Sequence, residues 1–349
     1  MTFEPDAFIA DLGMLVQVYP QDRRLPALPL LLGGPPPNLE RLLLAELGPG
    51  DWQAVAWQVE PGRYRAGLAA VLRYELEARE AATGRREGRR FYLKVYRKGD
   101  ACRRTFDAQQ TLWEMTPAGG DRFAVGKPIA YLPDLRALIQ AEVPGTSLEA
   151  LMLQGADTKE AIGRIARALA AFNQAAVVAP RLRLLDDQVD ALQRVGKLLQ
   201  WACPPLGQEV AAIVSEVSAR LEAVPTGPMH RDLKADHFLL DGDRLGLLDL
   251  DSLVAADPVL DPATLLAQFA SMPFRFPLSH EQMQATSQVF TDEYFAHAPR
   301  DWRRRLPVHY AGAALHVAVG FFRRQEPRWP ETVATLVGQA SACLAGRIW

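Results

Sequence analysis

At 349 residues the chain exceeds what one hydrophobic core serves, so two lobes are expected. Its apolar (49%) and charged (23%) fractions are those of an ordinary folded enzyme, and a net charge of -2 argues against a nucleic-acid partner, which would want a basic excess or stripe. Three scattered cysteines, Cys102, Cys203 and Cys343, have no disulfide or metal spacing and suit a reducing cytoplasm, and no apolar run reaches the length of a membrane span.

Residues 1–50 read as an N-terminal extension. Its acidic start, Met1 to Asp6, has no basic and apolar leader pattern, so no signal peptide is expected. A short helix is expected over 8–18. The proline-rich stretch from Pro20 to Pro37 is read as irregular, and Asn38 as the cap of a helix over 39–47 that stops at Gly48. Residues 51–142 read as β-rich. Strands are expected at 52–59, 69–76 and 91–96, with Pro61-Gly62 as a turn and 83–90 as a charged connection. A helix over 100–115 would be closed by Pro117 and Gly119-Gly120, with two strands after it at 129–132 and 137–142. From 143 to 349 the periodicity turns helical: 148–153, 159–178, 189–201 and 208–224, then 262–270, 279–296, 307–322 and 330–346. The order implies an α+β chain with a helical second half.

Between the two helical series lies 229–251, MHRDLKADHFLLDGDRLGLLDLD. Two short apolar runs joined by Asp241-Gly242 read as a β-hairpin, with Asp232 before it and Asp249 after it. Such a pair suits phosphoryl transfer. One carboxylate receives the nucleophile's proton, and oxygen ligands hold a divalent cation against the phosphates. Lys234 would offset charge on the transferred group. Lys94, within FYLKVY, reads equally as a phosphate ligand or as the outward residue of an alternating strand. The arginine triplet Arg303 to Arg305 reads as a solvated face.

HRDLKADH resembles the catalytic loop of the protein-kinase-like superfamily, and LLDLDSLVAADPVLDPATLL is similar to its aminoglycoside phosphotransferase and choline kinase branch. Asp257-Pro258-Val259-Leu260-Asp261 matches the aspartate-proline segment of that branch. IQAEVPGTSLEAL resembles its hinge, IARALAAFNQAA a helix that often ends in Leu-His (here Phe172-Asn173), and YLKVYR its third-strand lysine. The resemblance runs from about residue 52 to 270. It implies a bilobal α+β kinase-like fold, with a nucleotide-binding lobe over 51–142 and a helical lobe over 143–349. It also implies ATP-dependent phosphorylation of a hydroxyl on a small polar metabolite: a sugar, an amino-sugar or an aminoglycoside-like molecule. The implied cofactors are ATP and Mg2+, with Mn2+ as an alternative. The implied partner is a small-molecule acceptor, not nucleic acid or membrane, in the cytoplasm. Asp232 would be the catalytic base, Asp249 the principal metal ligand, Lys94 a phosphate contact, and Gln140, Ala141 and Glu142 the adenine edge. His230, Asp257 and Asp261 would be structural.

Three departures qualify the resemblance. His237 stands at the asparagine position of the metal site, and imidazole nitrogen is a poor Mg2+ ligand. Asp236 or Asp251 would supply the missing oxygen, or the protein would be a nucleotide-binding scaffold with weak or no transfer. No glycine-rich loop is evident. Arg63 and Arg65 occupy that stretch, as phosphate contacts or as part of an ordinary hairpin. The helix after Lys94 offers Asp107, Gln109 and a late Glu114, but no clear glutamate partner. A protein kinase is disfavoured, because Asp257 follows Asp249 too closely to leave an activation segment.

Overall fold

Alternation builds the first sheet: along Ala69–Glu80 the buried residues are Ala70, Leu72, Tyr74, Leu76, Ala78 and Glu80. The computed structural model describes residues 6–115, 122–176 and 179–347. The chain divides into two units, Met1–Glu114 with Gly126–Val143 and Met115–Val125 with Pro144–Trp349. The architecture is α+β, sheet-bearing in the first unit and mostly helical in the second.

The first unit opens with β1 (Asp6–Ile9) and β2 (Met14–Gln17), an antiparallel hairpin, then α1 (Leu28–Leu32) and α2 (Pro37–Ala45). The helix expected over 8–18 is therefore a hairpin, because Gly13 at φ +57° reverses the chain. The proline-rich stretch does hold a helix, α1, since its Pro29 falls in the first turn, where no intrahelical N–H is required. Asn38 does not cap α2; it lies inside the helix, and its side chain accepts from Arg41 at 2.6 Å.

Next come β3 (Trp52–Arg65), β4 (Ala69–Glu80), β5 (Arg86–Tyr96), α3 (Gly99–Met115), β6 (Phe123–Ala124, part of the second unit), β7 (Pro128–Leu132) and β8 (Ala137–Ala141). The five-stranded order is β3-β4-β5-β8-β7. Pro61-Gly62 does not turn the chain. β3 absorbs it as a bulge, and the reversal comes at Gly67, φ +66°. The stop expected after α3, at Pro117 and Gly119-Gly120, lies outside the described residues. Leu25, Leu28, Leu31, Leu39 and Leu43 share one core with Leu72, Tyr74, Leu93 and Ile139, so residues 20–47 pack as part of the lobe.

In the second unit, β9 (Thr146–Ser147) leads into α4 (Leu148–Leu153), capped by Ser147 at the Ala150 N–H, 3.1 Å. Gly145, at φ +128°, lies so close to β11 that a Cβ would meet the Leu240 carbonyl oxygen at 2.8 Å. Then follow α5 (Lys159–Asn173), α6 (Leu185–Ala202), α7 (Gly207–Arg220), β10 (Gly227–Met229), β11 (Phe238–Asp241), β12 (Arg244–Leu247) and β13 (Val254–Ala256). Four helices end the chain: α8 (Leu260–Ser271), α9 (His280–His297), α10 (Leu306–Arg324) and α11 (Trp329–Leu344). Ser279 caps α9 in a reciprocal pair with Gln282, at 3.0 and 2.8 Å. α10 is buried around most of its circumference and packs on α6, α7, α8 and α11, which makes it the axis of this unit. Among the described residues no helix is long and apolar enough to cross a membrane.

Candidate active site

β10 delivers the chain to His230. It is held antiparallel to β13, and a side chain at Gly227 would run into the Asn173 carbonyl. Past β10 the loop is braced by one buried carboxylate. Asp261 Oδ2 accepts the His230 N–H at 2.7 Å, and Oδ1 accepts the Arg231 N–H at 2.8 Å. Asn173 Nδ2 donates to Asp261 Oδ2 at 3.0 Å and to the Pro228 carbonyl at 2.9 Å, and Tyr294 Oη donates to Asn173 Oδ1 at 2.9 Å. Burial pushes the Asp261 carboxyl above its ordinary range, against the pull of His230 and of the N–H groups aimed at it. The Asp-Pro segment signalled Asp261 in the sequence. Nothing local marked Tyr294, 121 positions from Asn173.

His230 is fully buried, and its Nε2–H donates to the Leu248 carbonyl at 2.8 Å, tying the loop to the end of the hairpin. Burial, then His237, holds its pKa below the usual imidazole range, so the ring is neutral. Arg231 is left-handed, φ 73°, a conformation that costs a non-glycine residue about 1 kcal/mol. Asp232 emerges half-exposed, with Lys234 Nζ 2.8 Å from its Oδ2. The lysine thus sits on the carboxylate itself.

His237 closes a single 3-10 turn, Ala235–His237, and its carbonyl accepts the Leu248 N–H at 2.9 Å. Its Nε2 lies 3.7 Å from Asp236 Oδ1 and 3.9 Å from Asp249 Oδ2, while Nδ1 is buried with no hydrogen-bond partner among the described residues. Burial lowers its pKa, so it too is neutral. Asp249 is left-handed, φ 60°, and Asp251 follows in the next 3-10 turn. Among the described residues no three His, Cys, Asp or Glu side chains are grouped to hold a metal ion alone. One or two carboxylates beside a nucleotide suit Mg2+, which takes its remaining ligands from phosphates and water. The neutral imidazole facing Asp249 is the donor that departs from that preference.

The other predicted residues lie in the first unit. Lys94 is half-buried on β5, between Val71 and Leu138 of the flanking strands, with Nζ 5.5 Å from the Tyr96 ring centre. Gln109 on α3 is buried, and its Nε2 donates to Gln140 Oε1 and to the Gly126 carbonyl, both at 2.6 Å. Asp107 pairs with Arg103 and Glu114 accepts from Gln110, all on the exposed side of α3. The N–H groups of Ala141 and Glu142 already donate to the Lys127 and Arg90 carbonyls. An adenine edge reaching this stretch would therefore find its carbonyls. Arg63 and Arg65 are exposed on β3. The turn beyond them is anchored from the extension: Asp22, buried, accepts the Gly67 N–H at 2.6 Å and Tyr64 Oη at 3.0 Å. No spacing in the sequence revealed Asp22.

The family model of the phosphotransferase enzyme family (APH) matches residues 75–307. Among solved structures the chain is similar to choline kinase LicA from Streptococcus pneumoniae, with a TM-score of 0.53, 13% identity, and 88% of this chain and 99% of that one covered. It is similar to a thermostable mutant of aminoglycoside phosphotransferase APH(4)-Ia in its apo form, with a TM-score of 0.54, 13% identity, and 88% and 98% coverage. It is also similar to amicoumacin kinase hAmiN in complex with AMP-PNP, Ca2+ and Ami, with a TM-score of 0.53, 15% identity, and 80% and 87% coverage. At such identities the likeness is one of fold. No curated protein matches the sequence.

Proposed function

The chain belongs to the phosphotransferase enzyme family, and from that premise we propose that it transfers the γ-phosphoryl group of ATP to a hydroxyl of a small polar metabolite, of the sugar or amino-sugar kind. The observation that carries the reading is Asp232, half-exposed at the end of a loop whose preceding residues are fixed by Asp261 and by His230. Its carboxylate takes the hydroxyl proton as the new O–P bond forms and the bond from Pγ to ADP breaks. Lys234 steadies that carboxylate and offsets phosphoryl charge. Asp249, helped by Asp251 or Asp236, would hold Mg2+, which when bound neutralises phosphate charge. Lys94 would contact the phosphates, with Arg63 and Arg65 near them and the carbonyls of 140–142 at the adenine.

Thermal melting with ATP, with and without Mg2+, followed by ATP consumption across a panel of alcohols, tests the reading. Stabilisation by the nucleotide and consumption that depends on an acceptor are expected; no response to nucleotide sinks it. A second reading, a nucleotide-binding scaffold, draws on the buried neutral His237 beside Asp249. It expects stabilisation without transfer. The kinase reading expects His237→Asn to raise the ratio of Mg2+- to Mn2+-supported activity about tenfold, since a carboxamide oxygen replaces an imidazole nitrogen. An unchanged ratio would put His237 outside the metal's ligands.

A further inference from the structure

The turn that joins β3 to β4 is held from outside the sheet. Gly67, at its tip, is buried, and its N–H donates to Asp22 Oδ2 at 2.6 Å from 45 residues away. Tyr64 Oη, on the strand leading in, donates to the same oxygen at 3.0 Å, while Asp22 Oδ1 accepts the Arg24 N–H at 2.8 Å. Tyr19 packs edge-on against the Tyr64 ring, centroids 5.1 Å apart. The Arg24 side chain lies across the glycine, where a Cβ would meet its Cδ at 3.1 Å. On the other flank the Leu68 carbonyl accepts the Arg97 N–H at 3.0 Å. Loop tips are ordinarily the loosest part of a fold, and this one is tied on both sides. Burial alone would raise the Asp22 carboxyl, but the Gly67 and Arg24 N–H groups and the Tyr64 hydroxyl outweigh it and hold it below the ordinary carboxylate range. Asp22 is thus a charged acceptor, the kind that makes the stronger hydrogen bonds.

Strand register shows what the turn carries. Arg63, Val71 and Lys94 form one cross-strand row, and Arg65, Ala69 and Tyr96 the next. Directly paired residues share a face, so Arg63, Arg65 and Lys94 stand on the same side of the sheet. Arg63 and Lys94 are two strand spacings apart, about 10 Å, within joint reach of one polyphosphate. Tyr64, Ala70 and Val95 form the row between and point the other way, into the core shared with Leu25, Leu28 and Leu31. The segment packed on the opposite face therefore reaches round the tip at Asp22. Arg65 belongs to the turn itself, since its carbonyl accepts the Leu68 N–H at 2.9 Å. Whatever fixes the turn fixes the backbone from which both arginines project.

We infer that Asp22 is a positioning residue for the nucleotide: it fixes the β3–β4 turn so that Arg63 and Arg65, on the face of Lys94, are set for the ATP phosphates before the nucleotide arrives. This rests on the phosphotransferase reading above and deepens it. The hold on the phosphates is preset by the segment ahead of the sheet, where no glycine-rich loop is present to wrap them. Contacts set in advance cost less ordering on binding, so releasing the turn falls on nucleotide affinity. The proton transfer at Asp232 is untouched.

Steady-state kinetics on an accepted alcohol, with calorimetric binding of ADP and Mg2+ as an arm independent of turnover, tests the inference. Asp22→Ala is expected to raise the KM for ATP and weaken ADP binding about tenfold, with kcat within about twofold of wild type. Asp22→Asn keeps an oxygen for the Gly67 N–H and should recover most of that affinity. Glu40→Ala is the control. It removes another hydrogen bond from the same segment to β3, Trp57 Nε1 to Glu40 Oε2 at 3.1 Å, well down the strand from the turn, and should leave nucleotide affinity unchanged. If Asp22→Ala does not fold, Tyr64→Phe takes its place, with about a threefold loss expected for one bond to Asp22. A double-mutant cycle reads the route. Acting through the arginines, Asp22→Ala should add little to the loss caused by Arg63→Met with Arg65→Met, whereas independent effects would multiply. Unchanged nucleotide affinity in Asp22→Ala, an equal loss in Glu40→Ala, or effects that multiply in the cycle overturn the inference and leave the phosphotransferase reading standing. A wild type that neither binds nucleotide nor consumes ATP overturns both.

Discussion

Asp232→Asn is expected to lower kcat by about 10² to 10⁴ while the KM for ATP and the melting temperature stay close to wild type. The carboxylate is half-exposed and its one side-chain partner among the described residues is Lys234, so the fold loses little when it becomes an amide. The loop before it is held by other atoms: the Asp261 oxygens on the His230 and Arg231 N–H groups, and His230 Nε2 on the Leu248 carbonyl. An asparagine therefore keeps the place but has no carboxylate to receive a proton. Steady-state kinetics on an accepted alcohol, beside a circular-dichroism melt, separates the two effects. Unchanged turnover would remove Asp232 from the chemistry, and with it the mechanism.

Asp257→Ala is expected to cost about 3–5 kcal/mol of stability, because it strands buried donors. Asp257 is 4% exposed and Arg305 is 7% exposed. Oδ2 accepts Arg305 Nε at 3.0 Å and His309 Nε2 at 2.7 Å, while Oδ1 accepts Arg305 Nη2 and the Val259 N–H, both at 3.1 Å. Burial alone would raise this carboxyl, but His309 and Arg305 outweigh it and bring the pKa to about 2. The folded value lies below the unfolded one, so the charged form stabilises the fold. That contribution, about 2 kcal/mol, is complete above the ordinary carboxylate value near 4 and is lost as pH falls through about 2. Denaturant melts from pH 6 down to 2 should show the wild type losing this increment and Asp257→Ala lacking it from the start. Asp257→Leu combined with Arg305→Met should recover much of the loss, since a well-packed apolar pair can replace a buried ion pair. A melt unaffected by Asp257→Ala would refute the network's role.

Arg305 shows why the site was only half legible. In the sequence it is the last of three arginines and reads as solvated. In the fold Arg303 and Arg304 stay exposed, while Arg305 turns inward to a carboxylate 48 residues earlier. Lys234 lies two residues from Asp232, so that pair could be read directly from the chain. Asn173 and Tyr294 could not, since 121 residues separate them. The packing of residues 25–47 is silent in the sequence for the same reason. Leu25, Leu28 and Leu31 give no local sign that they share a core with Tyr74, and Asp22 none that it anchors Gly67.

What the chain determines by itself is what neighbouring residues decide among themselves. Asp241-Gly242 turns the hairpin, Ser279 and Gln282 cap α9, period-two alternation makes β4 and β5, and His230-Arg231-Asp232 marks the loop. These depend on backbone sterics and hydrogen bonds spanning a few residues. Tertiary structure alone decided which charges meet and which remain without partners. Burial sets whether His230 and His237 carry a proton. Packing brings Arg305 to Asp257, and Asn173 to Asp261. Electrostatic energy depends on distance and on solvent, and neither is written in the order of residues.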